Sequence, residues 1–362
     1  MRVLHIEENL VSTRAERFIQ LDSKLGHNVG FLGGFERPPT PKLDILDNLA
    51  LYHVGLNRGF FLGRISNDHY EKLGAAIDDF DPDIIHAHNI HFLNFVQIYL
   101  KKNRVEIPIV YNDHEFWSER ASLIYKDHLS SLNLIKSLQT YYKFRLFKRW
   151  EKSYVPISAV LTVSKEIADA HSKKYTPKFV SYIPNMPTNA ELNKARFDDR
   201  EEERTAVYVG PDFSKRENPF RDARGLLKMW RKKRPAKLIL LGDPFAHTDE
   251  SVKSLGRVPH MKIYEYSSNA HFGLLPYLPH YFHEYCSPNK IYIYIHSGAL
   301  PILPKKLRFE VDVPRFSTAE EFFAILSNSP LPDVDEVKMI AKDTLIADRY
   351  LENLKQAYEI TQ

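Results

Sequence analysis

The sequence predicts an α/β fold in two domains, each built on a mainly parallel sheet, and three observations carry that expectation. Short apolar runs alternate with helix-length segments along the whole chain, the pattern of strands joined by crossover helices. The alternation breaks once, at Pro187 to Arg204 (PTNAELNKARFDDREEER), a polar stretch poor in large apolar residues that reads as a boundary, and then restarts. At 362 residues the chain is long enough for two domains of ordinary size. The expectation is therefore two Rossmann-like domains facing one another across a cleft, residues 1–186 and 187–340, with 341–362 returning to pack on the first.

The elements follow in order. A strand from Val3 to Ile6 leads into a helix from Thr13 to Leu25, stopped by Gly26, and then a strand from Val29 to Leu32. Ile84 to His86, Ile107 to Tyr111, Val160 to Val163 and Phe179 to Ile183 complete the strands of the first half. Ala206 to Val209, Leu238 to Leu241, Phe272 to Leu275 and Leu300 to Leu303 supply the second, and a helix from Ala341 to Ile360 closes the chain. Ligands of such sheets sit beyond the carboxyl ends of the strands, so the strand-to-loop junctions are where chemistry is expected.

Composition narrows the class. Apolar residues at 43% and charged residues at 27% are those of an ordinary globular protein, which argues against a disordered chain, a fibre or a stapled miniature scaffold. No run approaches the roughly 18 apolar residues of a membrane span. The opening MRVLHI lacks the basic and apolar regions of a signal peptide, and the single Cys286 can form neither an internal disulfide nor a cysteine metal site. A reducing cytoplasm is the expected location. A net charge of +4 gives no footing for nucleic acid. Lys136 to Tyr154 (KSLQTYYKFRLFKRWEKSY) interleaves basic and aromatic residues over a helix length; it could lie against an anionic membrane at the inner face, or turn its aromatic side to the core.

Several familiar chemistries lack their motif. There is no G-x-G-x-x-G after the first strand, no G-x-x-x-x-G-K-[ST] and no G-x-S-x-G elbow, which sets aside dinucleotide dehydrogenases and P-loop nucleotidases and weakens a serine hydrolase. Asp81-Pro82-Asp83 reads as an acidic turn before a strand. His86, His88 and His91 form H-x-H-x-x-H, with His86 and His88 on one strand face. No cysteine or carboxylate completes a ligand set, so contacts to backbone or to a ligand are the better expectation than a metal.

Tyr285 to Leu303 (YCSPNKIYIYIHSGALPIL) is the most telling segment. IYIYI alternates like a strand, but both boundaries carry helix signals: Ser287 as a cap, Pro288 at the first helical position and Gly298 as the stop. A helix of about ten residues starting there, with Lys290 one turn in, offers a phosphate its N-terminal dipole, free amides and a cation.

S-P-N-K followed by G-A-L-P-I-L resembles the donor-binding segment of retaining glycosyltransferases of the GT-B fold, family 4. The resemblance runs nearly the length of the chain. Pro82 to His88 is similar to that family's P-D-V-I-H-A-H strand, Val110 to Glu115 to its V-Y-D-x-H-E, Leu161 to Ser164 to its T-V-S turn, and Ile183 to Asn185 to the I-x-N closing its first domain. The resemblance implies a role for each matching position. Gly210 with Lys215 and Arg216 resembles the loop whose cation meets the donor diphosphate, where fixed positive charge stabilises a departing nucleoside diphosphate. His114 falls beside the donor sugar, and Glu284 would hydrogen-bond sugar hydroxyls. Gly242 with Asp243 resembles the G-[DN]-G segment, Arg257 with Val258 would line the nucleobase, and Ser287, Pro288, Asn289 and Lys290 would complete the donor site. Ser12, Arg14 and Arg17 resemble an arginine-bearing version of the N-terminal loop and, with His88, would serve the acceptor side.

The sequence also departs from the pattern: Ile293 and Tyr285 stand where the family carries glutamates, and the N-terminal loop lacks its glycine pair. Losing a carboxylate from a ribose diol costs about 1–3 kcal/mol of donor binding. What the resemblance implies is a retaining transferase with a nucleotide-sugar (UDP- or GDP-linked) as co-substrate, a saccharide or lipid-linked acceptor, and no required metal or other cofactor. Its rival is a non-catalytic GT-B subunit.

Overall fold

The structure, a computed structural model, describes residues 1–8, 13–33, 49–55, 59–153, 159–175, 177–210, 219–242, 248–342 and 344–361. The chain folds as two compact units, residues 1–184 with 347–362, and residues 185–346.

The first unit is a seven-stranded sheet in the order β3-β2-β1-β4-β5-β6-β7. Its strands are β1 (Arg2–Glu7), β2 (Asn28–Gly33), β3 (Ala50–His53), β4 (Ile84–His88), β5 (Ile109–Asp113), β6 (Ala159–Thr162) and β7 (Phe179–Tyr182), each pair parallel. The crossovers include α1 (Thr13–Lys24), α2 (Asn67–Phe80), α3 (Ile90–Asn103), an antiparallel hairpin of α4 (Trp117–Ser130) and α5 (Leu134–Ser153), and α6 (Lys165–Tyr175). The second unit has a six-stranded sheet in the order β10-β9-β8-β11-β12-β13. It comprises α7 (Asn189–Lys194), β8 (Thr205–Val209), α8 (Arg224–Lys233), β9 (Lys237–Leu241), β10 (Val252–Ser254), α9 (His260–Ser268), β11 (Phe272–Leu274), α10 (Asn289–His296), β12 (Leu300–Pro304), β13 (Arg315–Phe316), α11 (Ala319–Asn328) and α12 (Val334–Ala341). A final helix, α13 (Leu351–Thr361), belongs to the first unit and packs on β5, β6 and β7.

Alternation along the strands sorts the two faces. Leu4, Ile6, Ile85 and Ala87 join the large apolar core with Leu73, Phe92, Phe95 and Trp150. On the opposite face, between strand neighbours of the apolar set, lie His5, His86 and His88, all fully buried. That face is covered by α1, where Phe18 stands edge-on to both His86 and His88, and by α13, where Tyr358 meets His86.

Four expectations are corrected. The strand expected at Ile107 to Tyr111 runs from Ile109 to Asp113, because parallel pairing of Asn112 and Asp113 with Leu161 and Thr162 overrides their low strand propensity. The polar stretch 187–204 carries α7 and is tied into the second unit: Thr188 caps the helix, and the buried Glu191 accepts from His260 Nε2 and Tyr264 at 2.8 Å each. The closing helix starts at Leu351; before it α12 ends at Ala341 and a 3-10 turn spans Ala347–Tyr350. Strands β3, β10 and β13 were not expected; at two to four residues they are too short for a period of two to register.

Candidate active site

Parallel strands bring their carboxyl ends together, so each unit has one edge where loop residues converge. In the first unit, β1, β4 and β5 deliver Glu7, Asn89, Asn112 and His114 to that edge, and the first turn of α1 adds Arg14. Glu7 Oε1 accepts from Glu8 N at 2.9 Å and from Asn89 Nδ2 at 3.1 Å. Burial raises the Glu7 carboxyl to about 8, although the backbone hydrogen bond from Glu8 and the nearby Arg14 oppose it. Asn89 caps α3 by accepting from the amides of His91 and Phe92, and does so at φ 94°, backbone that non-glycine residues rarely adopt. Burial lowers Arg14 to about 9 against the pull of Glu7 and Asp113, and its guanidinium donates to Asn112 Oδ1. His114 is held well below the usual histidine range by burial and then by Arg14 and Arg120. The edge is thus rich in hydrogen-bonding groups with a neutral imidazole at its centre.

Behind it runs a hydrogen-bond relay whose directions can be deduced. Asn112 Oδ1 accepts from Arg14, so its amide nitrogen donates to His88 Nδ1 at 3.4 Å. Burial keeps His88 neutral, so its proton sits on Nε2 and is donated to His5 Nδ1 at 2.8 Å. His5 Nε2 then donates to Asp22 at 2.9 Å, and Asp22 also accepts from His27 at 2.9 Å and from Tyr358 at 2.7 Å. Burial alone would raise Asp22, but the hydrogen bonds from His27 and His5 bring it down to about 2. Tyr358 in turn accepts from His86 Nδ1 at 2.8 Å, which leaves His86 Nε2 a buried lone pair with no partner. Every proton in the relay points toward one carboxylate. The ring nitrogens of His5, His86 and His88 lie within 4.8 Å of one another. The 2.8 Å between His5 and His88 is nevertheless a hydrogen-bond distance, shorter than the roughly 3.3 Å between two nitrogens on a tetrahedral ion, so the cluster fits a relay better than a cation cage.

The second unit builds a different edge. Gly210 after β8 has φ 145°, Gly242 after β9 has φ 94° and Gly256 after β10 has φ 61°. Gly242 N donates to Gly256 O, and a methyl group on Gly242 would sit 3.5 Å from the Gly210 backbone. Lys290, in the first turn of α10, reaches this glycine floor: a methyl group on Gly210 would meet its ammonium at 3.0 Å. Tyrosines set the lysine's position. Its Nζ lies 4.4 Å above the Tyr208 ring and donates to Tyr277 Oη at 3.3 Å, while the two hydroxyls share a 2.6 Å hydrogen bond. Tyr294, on the same helix, accepts from Val209 N at 3.0 Å and so ties α10 to the end of β8.

Sequence-expected residues thus fall into groups. Gly210, Gly242, Lys290 and the start of α10 (Pro288, Asn289) converge; Val258 is half-buried and Arg257 exposed, next to Gly256. Ser287 is not the cap: Pro288, with extended backbone at φ −70° and ψ 116°, takes that position one residue later than expected, and Ser287 Oγ instead accepts from Asn185 N at 3.2 Å. Glu284 faces Lys306 at 3.7 Å and shares with Lys305, Arg308 and Arg315 a cavity of about 410 Å³. Arg14, His88 and His114 converge in the first unit, and Arg17 is buried one turn along α1. Ser12, Lys215, Arg216 and Asp243 lie outside the described residues. Sequence reasoning missed Glu7, Asn112, Asp22 and the three tyrosines. A carboxylate directly after an apolar strand was the one signal for Glu7; the others depend on pairings between distant segments.

Residues 11–186 match the family model described as Glycosyltransferase Family 4. That stretch, just under half of the chain, is similar to family 4, and the chain as a whole has the GT-B fold. Sucrose-phosphate synthase (tll1590) from Thermosynechococcus elongatus superposes with a TM-score of 0.72 at 14% identity, covering 99% of this chain and 98% of that one. Anabaena Alr3699/HepE, solved with UDP and glucose, gives 0.64 at 13% identity over 99% of both chains. The lipopolysaccharide outer core galactosyltransferase WaaB gives 0.57 at 12% identity over 100% of both. At these identities the likeness shows the fold, here a GT-B glycosyltransferase fold along the whole chain. No curated protein matches the sequence. Lys290 and α10 follow β11, beside the point where the strand order reverses between β8 and β11.

Proposed function

We propose that this glycosyltransferase moves a hexose from a UDP- or GDP-linked donor to a saccharide or lipid-linked acceptor, with retention at the anomeric carbon and without a required metal, in the synthesis of a surface polysaccharide or glycoconjugate. The observation that carries this reading is the Lys290 ammonium held by Tyr208 and Tyr277 over the glycine floor of the second unit, beside the N-terminus of α10. As the bond from the sugar C1 to the diphosphate breaks, charge grows on the departing oxygen, and a fixed cation with helix amides stabilises it. The acceptor oxygen forms the new bond to C1 from the leaving-group side and gives its proton to the departing phosphate. In the first unit, Glu7, Asn89 and neutral His114 supply hydrogen bonds to hydroxyls.

A thermal-shift panel of UDP- and GDP-sugars tests the reading, followed by assay of nucleoside diphosphate release with EDTA present. One donor class should raise the midpoint by mass action, and release should require acceptor. No stabilisation by any donor contradicts it. Ile293, buried on α10 where the family carries its ribose-binding glutamate, favours the second reading, a non-catalytic GT-B subunit; binding without turnover on any donor would select it.

A further inference from the structure

The α4–α5 hairpin ends in the most apolar exposed surface among the described residues. Leu132 is 83% exposed, Ile135 75%, Leu138 72%, Leu134 69% and Leu129 46%, with Tyr142 at 56%. Soluble proteins rarely expose so many large apolar side chains on one element, and where they do the surface usually meets a partner. Their setting names the partner's charge. The exposed side of α5 carries Lys136, Lys143, Arg145 and Arg149, while its single acidic residue, Glu151, is fully buried and bonded to Ser118 and Tyr175. None of these four cations forms an ion pair among the described residues. Arg64 and Lys143 further rim a hollow of about 520 Å³ beside Leu138 and Tyr142. The deeper half of α5 is different: Phe147 and Trp150 face the core, so the stretch 136–154 is not uniformly a surface element. Among the described residues no helix is long and apolar enough to cross a membrane.

We propose that the tip of this hairpin, residues 129–145, docks on an anionic lipid bilayer, burying Leu129, Leu132, Leu134, Ile135 and Leu138 at the acyl boundary while Lys136, Lys143 and Arg145 engage headgroup phosphates. Leucines without charge would suit a second copy of the chain, and charge without leucines would suit a soluble polyanion. The two together on one protruding tip match the interfacial region of a membrane, where apolar burial and cation–phosphate attraction add. The inference does not depend on which sugar is transferred, or on whether any is.

Flotation with vesicles tests it, using the full chain and comparing pure phosphatidylcholine with a mixture containing phosphatidylglycerol. The protein should float with the anionic vesicles and not with the neutral ones, and lose most of that binding in high salt. Replacing Leu132, Ile135 and Leu138 together by serine should raise the lipid concentration for half-binding at least about tenfold, as should Lys136→Glu with Lys143→Glu and Arg145→Glu. Both sets are on exposed positions, so the thermal midpoint should stay put; a drop would be met by repeating the test with Leu132→Ser alone. Failure to float with anionic vesicles overturns the proposal. So does binding that survives the serine set, which would mean charge adsorption only. A dimer abolished by the same substitutions, with no flotation, would assign the tip to a second copy.

Discussion

The two units share a topology and differ in how their functional edges are made. The first unit's edge is made of side chains, Glu7, Asn89, Asn112, Arg14 and His114, held from behind by a buried relay that ends on Asp22. The second unit's edge is made largely of backbone, three positive-φ glycines under one lysine. A wired edge couples geometry to stability, because each relay member is buried and leaves a partner unsatisfied if removed. A backbone edge separates the two, because the lysine can be removed while the floor stays in place.

That contrast breaks if the relay can be cut without loss of stability. Asp22→Asn replaces the acceptor of three donors, two of them fully buried, and the expected loss is about 3 kcal/mol, read by denaturant unfolding, with UDP binding changed less than twofold. Overpacking in the second unit is the next effect. A methyl group on Gly273 would lie 2.2 Å from the Tyr294 ring, so Gly273→Ala should cost about 1–3 kcal/mol and, by moving the helix that carries Lys290, weaken UDP binding as well.

The first unit's buried groups also predict a pH dependence with two opposing signs. Burial, the largest of the causes, holds His86 and His88 well below the usual range, so below pH ~6.5 the unfolded chain binds protons that the folded one does not. Stability should then fall with acid by about 1.4 kcal/mol per pH unit for each. Glu7 has the opposite sign: its folded value near 8 against an ordinary 4.5 means the folded state holds the extra proton, so stability from this group falls as pH rises between those values. Glu7→Gln should therefore steepen the acid loss and flatten the decline toward pH 8, measured by unfolding at pH 5, 6.5 and 8. The smallest effect is Tyr358→Phe, about 1–2 kcal/mol, which removes the donor to Asp22 and the acceptor of His86 Nδ1; because the first of these is shared with Asp22→Asn, the two substitutions should be non-additive.

Legibility followed the same division. Parts of the second unit's edge were readable because S-P-N-K and its stop at Gly298 lie close together in sequence, and because Gly210 and Gly242 each directly follow an apolar strand, so local rules of helix starts and turns apply. Even there Ser287 was placed one residue wrong, since extended backbone at Pro288 shifts the cap. The first unit was readable as strands and as a His114 position, but Asp22, His5, His88 and Tyr358 lie as far as 336 residues apart and meet only in the fold. Nothing in the spacing of a histidine on an apolar strand reveals which carboxylate it will find. The hairpin tip falls between these cases: its basic and aromatic content was visible, but which residues face water required the packing of Phe147 and Trp150.

The central claim is that Lys290 and the N-terminus of α10 hold a nucleoside diphosphate, and calorimetric titration of UDP and GDP into the native chain and into Lys290→Ala tests it most directly. One of the two nucleotides should bind, the substitution should weaken that binding at least about tenfold, and the unfolding free energy should move by less than about 1 kcal/mol. Equal affinity in both proteins, or binding of neither nucleotide to the native chain, would contradict it.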